Sequence, residues 1–174
     1  MSEFMLSQLL ASVTLITECF AVQLKNQQRL LALLSLSCFF NGLHFFLLDQ
    51  PTAGFIFLFS SLRFLISIRW KSQWLAAASL AVSLVIVFYT YIGFLSILGF
   101  IGTVFITVGS FSANDKVLRI MMIIGSGIWL CHNLILWTPV GVALEAIFIS
   151  SSIIGYYRHY IANQAKKLPA PQSA

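Results

Sequence analysis

Long apolar stretches recur along the chain and are parted by short polar breaks. The breaks are Lys25-Asn26-Gln27-Gln28-Arg29, Asp49-Gln50-Pro51, Arg69-Trp70-Lys71-Ser72-Gln73, residues 89–93, residues 112–116 and Trp137-Thr138-Pro139. A helix that crosses the hydrocarbon of a bilayer needs about 20 mostly apolar residues. The pattern predicts seven helices, near 4–24, 30–48, 52–68, 74–91, 92–111, 119–137 and 138–157. Pro51 and Pro139 suit a first helical turn, where a missing N–H costs little. The boundary between the fourth and fifth helices is the least marked. Residues 75–108 carry no charge, and one bent segment is the competing reading. A run of 34 residues is too long for one ordinary crossing, which favours two.

Composition agrees with a lipid environment. Charged residues make up 9% of the 174 residues and hydrophobic ones 59%; the mean hydropathy is +0.93. A soluble domain carries about 25% charged residues, and a water-soluble globule of this size cannot hide so much apolar side chain. Soluble enzyme folds are excluded first, and the lipid bilayer is the expected partner. The net charge of +5 is small and interleaved with apolar runs, so no nucleic-acid partner is expected. The first apolar stretch lacks a basic leader and a small-residue cleavage site, so it reads as a span and not as a secretory signal. The segment 161–174, with Pro169 and Pro171, is expected to be a disordered cytoplasmic tail.

Basic residues set the expected orientation. Lys25, Arg29, Arg69, Lys71, Lys116, Arg119, Arg158, Lys166 and Lys167 all fall on one side of a seven-span arrangement. Glu3 and Asp49 fall on the other. The expectation is a periplasmic N-terminus and a cytoplasmic C-terminus. Six or eight spans would scatter the basic loops across both sides. Trp70, Trp74, Tyr156 and Tyr157 would then line the inner interface, with Tyr89, Tyr91 and Trp137 at the outer one.

A shift of 88 residues lays the second helix on the sixth and the third on the seventh. His44 meets His132, Leu48 meets Leu136, Pro51 meets Pro139 and Asn26 meets Asn114. Identities arise by chance in so apolar a chain, but the helix breaks coincide as well. Two three-helix units would flank the fourth helix, because an odd unit needs one extra crossing to repeat in the same orientation. The predicted division is 1–70 for the first bundle, 71–91 for the linker helix and 92–160 for the second bundle. A binding site would lie near the interface between the units.

Ionisable groups are costly in hydrocarbon, about 2.5 to 3.5 kcal/mol at a helix centre on insertion scales. Glu18, Arg63 and Glu145 are the charged candidates within spans. Glu18 precedes Lys25 by seven residues and Arg63 precedes Arg69 by six. Both should lie in the inner half, where they would form an ion pair or an inner gate; Arg63 could instead snorkel to the interface. Glu145, His132, Asn133, Asn41 and His44 are expected at one depth nearer the outer side. Ser37, Asn41 and His44 form one stripe, Gly125, Trp129 and His132 its repeat counterpart. Gly141, Glu145 and Ser152 continue it on the seventh helix. Glu145 and His132 would bind a small polar solute or exchange a proton, with Asn41, His44, Trp129 and Asn133 in the same site, or the polar groups would join helices by hydrogen bonds. Small residues form further stripes, Ser7, Ala11, Thr14 and Ala21 on one face of the first helix with Glu18, and Gly99, Gly102 and Gly109 on one face of the fifth, and these suit close packing.

Cys19, Cys38 and Cys131 show no disulfide framework. No nucleotide loop, catalytic triad or zinc-protease motif is present, so neither a cofactor nor an enzymatic role is expected. A metal site of His44, His132 and Glu145 is conceivable, but no metal is predicted.

Two segments carry a family resemblance. One is Gly42-Leu43-His44-Phe45-Phe46-Leu47-Leu48, with Ala53-Gly54 and Ser60-Ser61-Leu62-Arg63 after it. The other is Gly127-Ile128-Trp129-Leu130-Cys131-His132-Asn133, followed by Gly141 and Glu145. Together they resemble the YgjV-type bacterial inner membrane proteins over nearly the whole chain. That family is grouped with the SWEET, PQ-loop and PnuC-like transporters, so the resemblance implies two three-helix bundles joined by a linker. His44, Arg63, Trp129, His132, Asn133 and Glu145 match the family pattern. Ser60 departs from it, since Asn often stands there, and Glu18 is not part of it.

The reading from sequence is a small-solute transporter or facilitator. A membrane receptor, regulator or assembly factor on the same fold is the alternative. Seven helices in one chain can hold a complete site, so a homo-oligomer is optional.

Overall fold

The computed structural model describes residues 3–161. The expected tail therefore lies, apart from Ile161, outside the described residues. Seven helices form: α1 (Glu3–Gln23), α2 (Gln27–Phe46), α3 (Pro51–Arg69), α4 (Gln73–Thr90), α5 (Phe94–Ser110), α6 (Asp115–Ile135) and α7 (Pro139–Tyr156). A π-helical turn, Tyr157–Ile161, extends α7. Six of the seven are long and apolar enough to cross a membrane, and α5 is a shorter apolar helix. At 1.5 Å per residue its 17 residues rise about 25 Å.

Local chemistry explains the boundaries. Asn26 caps α2 by accepting from the backbone N–H groups of Gln28 and Arg29. Asn114 caps α6 by accepting from Lys116. These caps draw polar residues into the first turns, so α2 and α6 begin earlier than residues 30 and 119, where hydrophobicity alone starts them. Pro51 and Pro139 open α3 and α7. The uncharged stretch 75–108 is two helices, parted at Gly93, whose φ of 127° lies where glycine is favoured.

The packed neighbours form a closed ring: α1 on α2, α2 on α3, α3 on α5, α5 on α6, α6 on α7 and α7 on α1. Helix α4 lies outside it, against α3 and α5. It turns the small residues Ala76, Ser79 and Ser83 inward and leaves Phe88 and Tyr89 exposed. End-to-end contacts give the directions. Gln23 near the end of α1 donates to the Ser151 hydroxyl near the end of α7 (2.8 Å). Lys71, after α3, donates to the carbonyl of Ser110 at the end of α5 (2.7 Å). At the opposite end the His44 ring meets the Ser7 carbonyl (2.9 Å), and Thr52 donates to the Thr90 carbonyl. Odd-numbered helices thus run one way and even-numbered ones the other. The α1–α7 and α3–α5 seams join parallel helices, and the other ring contacts are antiparallel.

Large apolar side chains cover the outside, among them Phe20, Leu62, Val85, Phe94 and Ile154, as a lipid-facing wall requires. Inside, Phe45, Phe57 and Trp129 form an aromatic core, with ring centroids 4.6 to 5.9 Å apart. The indole of Trp129 lies against Gly99 and Gly102. A Cβ added at either glycine would come within about 3 Å of it. Gly99 and Gly102 of the small-residue face of α5 seat this side chain, and Gly109 lets Met121 and Leu118 of α6 come close.

Candidate functional site: a charged cavity inside the helix ring

Every helix of the ring reaches one internal cavity. Glu18 of α1, Cys38 of α2, Arg63 of α3, Thr103 of α5, Trp129 of α6 and Glu145 of α7 all line it. The space open to the centre of a water-sized sphere is about 40 Å³. One water needs about 10–15 Å³ by that measure, so about three waters fit.

The three charged side chains are almost wholly buried: Glu18 is 8% exposed, Arg63 1% and Glu145 5%. Burial of a charge is costly unless it is paired and hydrogen-bonded. Glu18 accepts a hydrogen bond from the Ser37 hydroxyl of α2. Glu145 has the Ser126 hydroxyl of α6 beside it and lies within electrostatic reach of Glu18. Arg63 turns the other way. One terminal nitrogen donates to the Thr107 hydroxyl of α5, and the guanidinium carbon lies 5.1 Å from the centroid of the Phe64 ring. Among the described residues its Nε has no hydrogen-bond partner, and no carboxylate comes within 4.0 Å of it. The expected Glu18–Arg63 ion pair is therefore not a direct contact. The two groups share a cavity, but Glu18 is held by α2 and Arg63 by α5.

The other sequence candidates are distributed differently from the single outer pocket expected for them. Glu145 joins Glu18 and Arg63. His132 lies behind Trp129, ring centroids 4.9 Å apart, and borders a smaller recess with Thr52 and Ser96. His44 meets the α1 backbone at Ser7, as above. Asn133 accepts from the Thr138 hydroxyl (3.0 Å) and packs so close to Gly141 that a Cβ there would fall 2.7 Å from its side-chain oxygen; it shapes the α6–α7 turn. Asn41 is buried but does not border the cavity. Among the described residues no group of three His, Cys, Asp or Glu side chains is placed to hold a metal, so His44, His132 and Glu145 do not form a ligand set.

Thr103, which borders the cavity, and Thr107, which accepts the Arg63 hydrogen bond, escaped the sequence reading. They follow Gly99 at intervals of four, on the face already marked by the small-residue stripe, and that register was the available signal. At the basic end of the bundle, Arg119 was read only as a charge that sets orientation. Its guanidinium donates to the carbonyls of Val22 (2.9 Å) and Leu24 (2.7 Å) and pairs with Asp115 at 2.8 Å. It ties α6 to the end of α1.

A model of the Imp-YgjV family, described as bacterial inner membrane protein, matches residues 5–163. The chain belongs to that family and is a multi-pass inner membrane protein. No curated protein and no solved structure matches it.

Proposed function

We propose that this inner membrane protein is a small-solute facilitator in which two three-helix units move about the central cavity. The units are residues 1–70 and 92–160, with 71–91 as the linker helix, an arrangement like that of the SWEET, PQ-loop and PnuC-like transporters. The observation that carries the reading is the cavity itself: it draws three ionisable side chains from three helices and is bordered by all six helices of the ring. Evolution tolerates such groups in a membrane where a path or a site needs them. Symmetry supports the division into units. Helices α2 and α6 start 88 residues apart, as do α3 and α7. The turn residues Asp49 and Trp137, at the same offset, share a left-handed φ of 56° and 55°.

In this reading Glu145, Glu18 and Trp129 contact the solute and Arg63 guards the inner side. His132, Asn133, Asn41 and His44 support the outer half of the ring. No catalytic step is assigned. The N-terminus faces the periplasm and the C-terminus the cytoplasm, because the basic loops gather at one end.

The test is solute flux in proteoliposomes, after a thermal-shift screen of the purified protein against small metabolites. A ligand that binds the native state raises its stability. Glu145→Gln should abolish both the shift and the flux while the variant remains folded. The alternative, a membrane receptor or regulator, draws on the packed aromatic core of Phe45, Phe57 and Trp129. It would be favoured by a stabilising ligand that never crosses the vesicle membrane.

A further inference from the structure

The charges of the cavity are sorted across the ring. Glu18 and Glu145 belong to α1 and α7, which form one parallel seam. Arg63 and its partner Thr107 belong to α3 and α5, which form the other. In the ring order these seams are opposite each other. The negative pole holds two carboxylates, one of them held by a serine hydroxyl. Phe148 follows Glu145 by three residues on the same face and also borders the cavity, as does Trp129. A carboxylate in a cavity that aromatic rings also line suits an ammonium group. The positive pole has spare capacity. A guanidinium presents five N–H donors. Arg63 is 1% exposed and its Nε is unpartnered. A planar donor fork of this kind matches a carboxylate.

From these two poles we propose that the cavity recognises a small zwitterion, its ammonium held between Glu145, Glu18 and Trp129 and its carboxylate held by Arg63. A simple amine would leave the Arg63 donors unfilled, and a simple anion would lie against two carboxylates. Room for about three waters limits the ligand to a handful of heavy atoms. The inference rests on the facilitator reading for its purpose but not for its chemistry.

The experiment uses the full-length protein in nanodiscs. Binding of glycine, β-alanine and 4-aminobutyrate is compared with that of butylamine and butyrate, which offer one pole each. At least one of the three zwitterions should raise the melting midpoint by about 2 °C or more at saturation. Butylamine and butyrate should bind at least about tenfold more weakly. In Arg63→Gln the advantage of the zwitterion over butylamine should vanish, whereas Arg63→Lys should keep part of it. If Arg63→Gln does not fold, Arg63→Lys and the wild-type comparison decide. Equal binding of butylamine or butyrate, or no binding of any zwitterion, would overturn the proposal. Zwitterion binding without exchange across proteoliposomes would leave it standing and remove the facilitator reading. Flux of single-pole solutes alone would do the reverse.

Discussion

Trp129 shows what a single side chain does in this ring. It is 2% exposed, touches Phe45, Phe57 and His132, and borders the cavity. Its indole occupies the groove that Gly99 and Gly102 leave in α5. Removal of a buried aromatic of this size costs about 3–5 kcal/mol in soluble cores. Trp129→Ala should approach that figure, measured by thermal unfolding in detergent, and Gly102→Val should destabilise by displacing the same indole. A second residue carries a pH dependence. Lys71 lies outside the spans. Burial pushes its ammonium down to about 8, and nearby Asp115 partly offsets the effect. An unfolded lysine titrates near 10.4. Between about 8 and that value the unfolded chain binds more protons than the folded one, so stability rises with pH across this window and is insensitive to Lys71 below it. The melting midpoint should therefore climb from pH 7.5 to pH 10 more steeply in the wild type than in Lys71→Met.

Elements here are started and stopped by a few residues whose chemistry is local. Asn26→Ala and Asn114→Ala should each cost about 1 kcal/mol through loss of an N-cap. The caps belong to different helices and share no partner, so the double variant should show the sum, read from unfolding midpoints of all three variants. Features of this kind are legible in a sequence: the apolar period, the prolines at 51 and 139, the paired asparagines and the offset of 88 all lie along the chain. Depth is legible too. Counting residues back from Lys25 and Arg69 put Glu18 and Arg63 at similar heights, and both border one cavity. Azimuth is not legible. Which seam a side chain faces depends on the order of helices around the ring, and helix lengths do not encode that order. That is why the sequence pairs Glu18 with Arg63, although Glu18 is held by α2 and Arg63 by α5. For the same reason Glu145 was grouped with His132, when in the structure it shares its cavity with Glu18. The tie made by Arg119 is hidden on similar grounds, since its backbone acceptors, in the last turn of α1 and just past it, lie 97 and 95 residues away.

The whole molecule has two parallel seams, α1–α7 and α3–α5, and under the proposed division each joins one three-helix unit to the other. Motion of the units must open and close these seams, because the remaining ring contacts lie within a unit. At the basic end a polar contact lies at each seam: Gln23 with Ser151 at 2.8 Å, and Lys71, the first residue of the linker, with Ser110 at 2.7 Å. A neutral hydrogen bond such as Gln23–Ser151 contributes about 0.5–1.5 kcal/mol, and one from a charged donor, such as Lys71 or the Arg119 that ties α6 to the end of α1, about 1.5–3 kcal/mol, so a gate at this end must release charged contacts as well as neutral ones. A covalent link at the same place would not release. In a background where Cys19, Cys38 and Cys131 are replaced, Gln23→Cys with Ser151→Cys should accept a short bifunctional thiol reagent, and the linked protein should bind ligand but lose flux. Cleavage of a reducible linker should restore it. A pair placed within one unit, Ser35→Cys with Ser61→Cys at the α2–α3 contact where the hydroxyls lie 3.1 Å apart, should accept the same reagent without loss of flux. Equal inhibition by both links would mean that motion is not concentrated at the seams. Unimpeded flux through the α1–α7 link would place the moving boundary elsewhere in the ring.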